Sequence, residues 1–312
     1  MDLQGKLLLF LIDLILPLAV GLALRHQRFL GEVFFSRMIM ATILLFYPIL
    51  TGLGFWAIRL DITLLFLPLF GIITHVAPAI IGFHQAKKKF TSPLNQGSYV
   101  LSAILSNSTS LGGLSAFILF GETGFALAQL ILLFAPAILF MMCYPLAQHY
   151  QDLHYHGGSK GFSFKALLLN RNQLPTLGIV VGLLLNLGGV PRPESIRPVF
   201  DTLVHISAWT TLLPIGFSLD FSEMKRFWRD TLDLVWIKFI AIPVTTVLPA
   251  LPFISDSIAL KTLLVLSVTP VAMNAVITSK LYDLNLHIAM AAFVITTTVY
   301  LFLIFPILML TL

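Results

Sequence analysis

The sequence predicts an all-α polytopic membrane protein. Ten transmembrane helices are expected, arranged as two inverted five-helix repeats, with helices four and nine broken and crossing. Three observations carry that expectation. First, 58% of the 312 residues are apolar and only 11% are charged, with a mean hydropathy of +0.94. Soluble domains carry about a quarter charged residues, so a water-soluble globule is excluded. Second, the apolar residues gather into runs of about 20, the length a helix needs to cross a hydrocarbon core. Third, two of those runs are interrupted by polar, Gly- or Pro-containing segments at corresponding points in the two halves.

The expected spans are 7–24, 38–58, 62–84, 96–120, 125–148, 173–190, 198–219, 231–254, 258–281 and 287–310. No segment alternates apolar and polar residues as the strands of a membrane barrel do. Span one follows Met1 to Lys6 without a small-residue cleavage site and contains Asp13 and Pro17, so it is expected to be a retained helix. Cys143, the lone cysteine, lies in span five and has no disulfide partner within the chain. In span six, Gly178 and Gly182 make a small face suited to close helix packing. Spans five and six are joined by the longest polar connection, 150–172, with His154, His156 and the Gly157-Gly158-Ser159 turn. Two histidines without further ligands rarely bind a metal, so a solvated cytoplasmic linker is expected. The chain thus divides into a first unit 1–149, the linker 150–172, and a second unit 173–312.

The net charge of +5 raises the question of nucleic acid, but the distribution answers it. Thirteen of the 19 Lys and Arg residues, among them Arg25, Lys87, Lys88, Lys89, Arg229 and Lys280, fall in loops on one side. The other side holds Lys6, Arg59, Arg192, Arg197 and Lys261, and Lys238 lies within a span. The positive-inside rule puts the first side in the cytoplasm and both termini outside it. The basicity is topological, and no nucleic-acid partner is expected.

The halves repeat at nearly constant offsets. Pro48 and Pro214 are 166 residues apart, Pro78 and Pro243 165, Asn107 and Asn274 167, and Pro136 and Pro306 170. Because each unit holds an odd number of spans, the second enters the membrane upside down. Inverted repeats of this kind are common in secondary transporters, whose sites are built from discontinuous helices.

The two interruptions are Ser106-Asn107-Ser108-Thr109-Ser110-Leu111-Gly112-Gly113 and Ser267-Val268-Thr269-Pro270-Val271-Ala272-Met273-Asn274. Glycine weakens helix propagation, hydroxyls compete for backbone partners, and Pro270 lacks a donor. Irregular backbone at membrane depth is tolerated only against protein or a watery cavity. The start of each following half-helix presents free amides and positive dipole, which suits an anion. The expected substrate-binding residues are therefore Asn107, Asn274, Ser106, Ser108, Thr109, Ser110, Gly112, Thr269 and Pro270. The asparagine amides are expected to serve a carboxylate, to bridge loose backbone, or both. Neither break contains Asp or Glu, which disfavours a cationic substrate and tight sodium sites. Asp13, His75 and Lys238 are ionisable residues inside spans and hence coupling candidates, for a proton or for attracting an anion. Lys238 also has Asp233 nearby in sequence as a potential partner. No His-Glu-x-x-His motif occurs, and the Gly-x-Ser-x-Gly match at Gly157 to Gly161 falls in the polar linker with no strand before it to make a nucleophile elbow, so no enzyme and no cofactor are expected.

Four segments resemble the auxin efflux carrier family. They are Gly182-Leu183-Leu184-Leu185-Asn186-Leu187-Gly188 with Val190-Pro191, Leu213-Pro214-Ile215-Gly216-Phe217-Ser218-Leu219, Gly121-Glu122-Thr123-Gly124, and Thr269 through Asn274 with Lys280-Leu281-Tyr282. The resemblance spans essentially the whole chain. It implies ten helices in two inverted units, a scaffold part, a transport part with crossed helices four and nine, and movement of small organic anions such as auxin-like carboxylates. It also implies Thr51 and Gln129 as cavity residues and a homodimer through the scaffold. The wider superfamily includes the bile acid/sodium symporters. The short central loop implies a prokaryotic-type member in a bacterial inner membrane. Two glycines stand where family members often carry a proline in the first crossover. The competing expectations are a sodium-coupled bile-acid-type symporter and a membrane sensor that binds without transporting.

Overall fold

The computed structural model describes residues 3–25, 31–58, 61–155, 174–219 and 227–312. Among these every regular element is helical, and the only β-type pairing is one isolated bridge. In chain order the helices are α1 (3–24), α2 (32–57), α3 (62–89), α4 (Pro93–Ile104), α5 (108–120), α6 (122–131), α7 (135–155), α8 (Leu174–Leu187), α9 (Ile196–Ser218), α10 (Phe227–Ala250), α11 (Ser257–Ser267), α12 (Met273–Leu281) and α13 (Leu286–Thr311). Among the described residues, six helical stretches are long and apolar enough to cross a membrane. Large apolar side chains such as Phe302, Leu310 and Leu184 stand exposed on the outer faces, an arrangement that suits lipid and not water.

Proline shapes these helices in a regular way. In five places a helix widens into a π-helical turn ending two residues before a proline: 10–15 before Pro17, 42–46 before Pro48, 139–143 before Pro145, 237–241 before Pro243, and 300–304 before Pro306. Proline supplies no amide, and its ring crowds the carbonyl four residues back. A wider turn moves that carbonyl aside without ending the helix.

Several expected boundaries shift. The helix of span two begins at residue 32, and α3 runs on to Lys89, where Lys87, Lys88 and Lys89 complement the carbonyl end. Span five is interrupted by a turn at 132–134, just before Pro136 in the first turn of α7. Its helix then continues through Tyr155, so 150–155 are helical and not linker. The rest of the linker, including His156, Lys160, Lys165 and Arg171, lies outside the described residues, as do Arg28, Arg59, Lys225 and Arg226. Cys143 is buried in the core.

Helices α1, α2, α8 and α9 pack as one group, while α3, α4, α5, α10, α11 and α13 pack largely against one another. Within the first group the backbones touch. A Cβ on Gly178 would stand 2.1 Å from the Pro48 carbonyl oxygen, and one on Gly182 2.3 Å from that of Gly52. The Gly178/Gly182 face therefore serves the close packing its spacing predicts. Between α5 and α6 the chain reverses over Gly121 alone, at φ 66° and ψ −152°, a conformation essentially closed to residues with a Cβ.

The two ends of the bundle are tied differently. At one, Lys89 Nζ donates to Asp233 (2.6 Å) and to the Asp230 carbonyl (2.9 Å), and Asn285 Nδ2 donates to Asn95 (2.8 Å). At the other, Asn186 Nδ2 donates to the carbonyls of Phe55, Trp56 and Ile58, and Arg192 pairs with Glu122. Asp61 caps α3 by accepting from the Thr63 hydroxyl (2.6 Å) and amide (2.7 Å), which holds its carboxyl below the usual range.

Candidate functional site

Neither of the two expected breaks is bridged by continuous helix. The α4 helix stops at Ile104, and 105–107 run non-helically before α5 starts. The α11 helix stops at Ser267, and the chain resumes a helix only at Met273. The two irregular segments lie side by side, antiparallel, with Ser106 paired to Val271. Asn107 N–H donates to the Pro270 carbonyl at 2.8 Å, and Ala272 N–H donates to the Leu105 carbonyl at 2.9 Å. Each break thus supplies backbone partners to the other. A buried peptide group cannot go unpaired cheaply, so the two interruptions depend on one another. Side chains extend the lacing: Ser108 Oγ and Thr269 Oγ1 are 2.8 Å apart, and Val271 N–H donates to Thr296 Oγ1 at 3.0 Å.

A cavity of about 260 Å³ opens beside the breaks, between the two helix groups. One wall comes from Thr42 and Tyr47 of α2, Ile179 of α8 and Thr211 of α9; the other from His75, Ser106, Thr109, Ser110, Gln129 and Asn274. Leu132, Leu139 and Phe140 make an apolar flank. A smaller space of about 90 Å³ adjoins it, lined by Asn107, Ser106, Asn274 and Met273 among others. Asn107 Nδ2, at the smaller space, and Gln129 Nε2, at the larger, are buried without a hydrogen-bond partner. Buried polar groups nearly always find partners, so these two amides are exceptions beside adjoining spaces.

Of the expected binding residues, Ser106, Thr109, Ser110, Gln129 and Asn274 line the main cavity, and Asn107 the smaller one. Ser108 and Thr269 bond each other, and Pro270 gives its carbonyl to Asn107; these three build the break and do not line either space. Gly112 sits in the π-helical turn of α5, where a Cβ would come 2.6 Å from Leu266. Thr51 lines neither space. It is fully buried, donates to the Pro48 carbonyl at 3.1 Å, and abuts Gly178 in the helix seam, away from the cavity. The asparagine amides do not stitch the backbone either; main-chain bonds do.

The coupling candidates separate as well. His75 lines the cavity, with Nδ1 3.0 Å from the Gly71 carbonyl. Asp13 instead accepts from His205 Nδ1 at 2.6 Å, within the α1–α9 contact. Lys238 does not pair with Asp233, which accepts from Lys89 and, at 2.5 Å, from the Tyr99 hydroxyl. Its Nζ, fully buried, donates to the carbonyls of Ala103 (2.7 Å) and Leu105 (3.2 Å) and to Ser106 Oγ (2.8 Å). Sequence reasoning missed Tyr47, Thr42, Thr211 and His205. Tyr47 lines the cavity together with Thr211 and Ser110. Its signal was available, since it stands directly before Pro48 in a stretch the repeat comparison already used. Among the described residues no three His, Cys, Asp or Glu side chains come together as a metal set. Neither a family model nor a curated protein sequence matches this chain.

Proposed function

We propose that this protein is a secondary carrier of small organic anions, and that its ten spans form two inverted five-helix units working by alternating access. One observation carries the reading. Two interrupted helices meet at their interruptions beside a cavity that lies between two separately packed helix groups. Irregular backbone at such a place is tolerated where it lines a cavity, and it is how discontinuous-helix carriers bind.

The lining explains the sign of the substrate. The Asn107, Gln129 and Asn274 carboxamides and the hydroxyls of Ser106, Thr109 and Ser110 can all donate, as can the first amides of α5, and no carboxylate lines either space. A carboxylate supplies the missing acceptors. In this reading α1, α2, α8 and α9 form the scaffold, and the group holding the breaks moves past it in an elevator-like or rocking step. His75, on the cavity wall, is the group best situated to carry a coupled proton. The resemblance to the auxin efflux carriers, the orientation with both termini outside the cytoplasm, the bacterial inner membrane and a homodimer through the scaffold belong to the same proposal.

The test is a melting-temperature screen of purified protein against carboxylates, followed by flux of the hits in proteoliposomes with and without a proton gradient. Stabilisation by a carboxylate together with uptake supports the carrier. Stabilisation without flux makes the protein a ligand sensor instead. Flux that requires sodium moves it to the sodium-coupled class.

A further inference from the structure

Among the described residues, Lys238 is the lysine or arginine buried at the breaks, and what surrounds it is unusual for a buried lysine. Its three hydrogen-bond partners are all neutral oxygens: two main-chain carbonyls and a hydroxyl. No carboxylate among the described residues pairs with it. Buried ammonium groups normally require a counter-charge. Here the compensation comes from the end of α4. The last carbonyls of a helix have no intrahelical donor and carry the negative end of its dipole. The break leaves the Ala103 and Leu105 carbonyls in that condition, and Ser106 turns its hydroxyl to the same point. Convergent carbonyl and hydroxyl oxygens are the donor set of a hard cation. Lysine's compact ammonium, with three donors on a long stem, matches it.

We propose that Lys238 Nζ is a tethered cation filling an oxygen-lined cation site at the end of α4, so that the first break keeps its shape without a dissolved alkali cation. Lys238 is therefore a positioning residue: it holds Leu105 and Ser106, and through them the cavity wall, and it touches no substrate. The second break has no counterpart. His75, at the related place in the first unit, bonds the Gly71 carbonyl of its own helix and does not reach across to Val268–Ala272. The inference rests on the geometry of the break and not on the transport reading, and its test needs no flux.

The experiment measures melting temperature of purified protein in sodium chloride, n-propylammonium chloride and choline chloride at one ionic strength. Wild-type protein is expected to melt alike in all three. Lys238→Ala removes the equivalent of one propylammonium and opens a hole lined by those three oxygens. It is expected to melt lower in choline and to recover, saturably, by on the order of 2–4 °C or more in n-propylammonium, with partial recovery in sodium. Lys238→Met fills the hole without charge and is expected to recover in neither salt. The proposal is overturned if sodium saturably stabilises the wild type over choline, or if Lys238→Ala melts at one temperature in all three salts. Should Lys238→Ala fail to fold in every salt, the wild-type comparison alone decides: sodium stabilisation overturns the proposal, and none supports it.

Discussion

The first and second breaks solve one problem by different means. Both must satisfy peptide groups that a helix would otherwise pair, and each lends the other one main-chain hydrogen bond. Beyond that exchange they diverge. The first is held at its carbonyl side by a lysine from α10, and it restarts through a π-helical turn over Gly112. The second is held at its amide side by a threonine hydroxyl from α13, and Pro270 removes one donor that would have needed a partner. Asn107 is buried with an idle amide, whereas Asn274 is exposed to both spaces. The lesson is that pseudo-equivalent interruptions need not share their chemistry: one is braced by charge, the other by a neutral hydrogen bond.

The largest expected effect sharpens the contrast between the asparagines. Asn107→Ala and Asn274→Ala are each expected to reduce carboxylate uptake by proteoliposomes to background. Because the Asn107 side-chain Nδ2 has no partner, truncating the side chain should keep the melting temperature within about 4 °C of wild type. Normal uptake by both variants would remove these residues from the site. Next, Thr296→Val strips the acceptor from the Val271 amide and leaves a buried N–H unpaired, a cost of about 1–3 kcal/mol. A drop in melting temperature checks it, and an unchanged one would mean the second break does not depend on α13. A smaller term joins the breaks. A double-mutant cycle of Ser108→Ala and Thr269→Ala should give a coupling of about 0.5–1.5 kcal/mol, and simple additivity would show that this hydroxyl pair contributes nothing. The smallest effect is none: Thr51→Val should leave uptake unchanged, since Thr51 packs in the helix seam, and a loss of flux would return it to the cavity.

Much of this was legible in the sequence because membranes punish irregular backbone. A run such as 106–113, with four hydroxyl residues, an asparagine and two glycines in an apolar setting, has few explanations other than a break. Prolines betrayed helix distortions as well, although their positions gave no hint that the helices would widen into π-helical turns and carry on. Which hydroxyls face the cavity was not legible. Ser108 and Ser110 are two residues apart, yet the first turns to Thr269 and the second lines the cavity, because residues so spaced on a helical turn face different sides. The surroundings of Thr51 were not legible either: one turn beyond Tyr47 on α2, its hydroxyl meets the Pro48 carbonyl and Gly178. Lys238 was recognisable as costly to bury, but its partners are carbonyls, and backbone atoms leave no trace in a search for complementary charges.

The reversal at Gly121 ties these parts together mechanically. With a single residue between α5 and α6, there is no slack to absorb a shift of either one. The half-helix that starts at the first break and the stretch that bears Gln129 consequently behave as two arms of one rigid elbow. A shift of Ser110 would carry Gln129, on the same cavity wall, along with it.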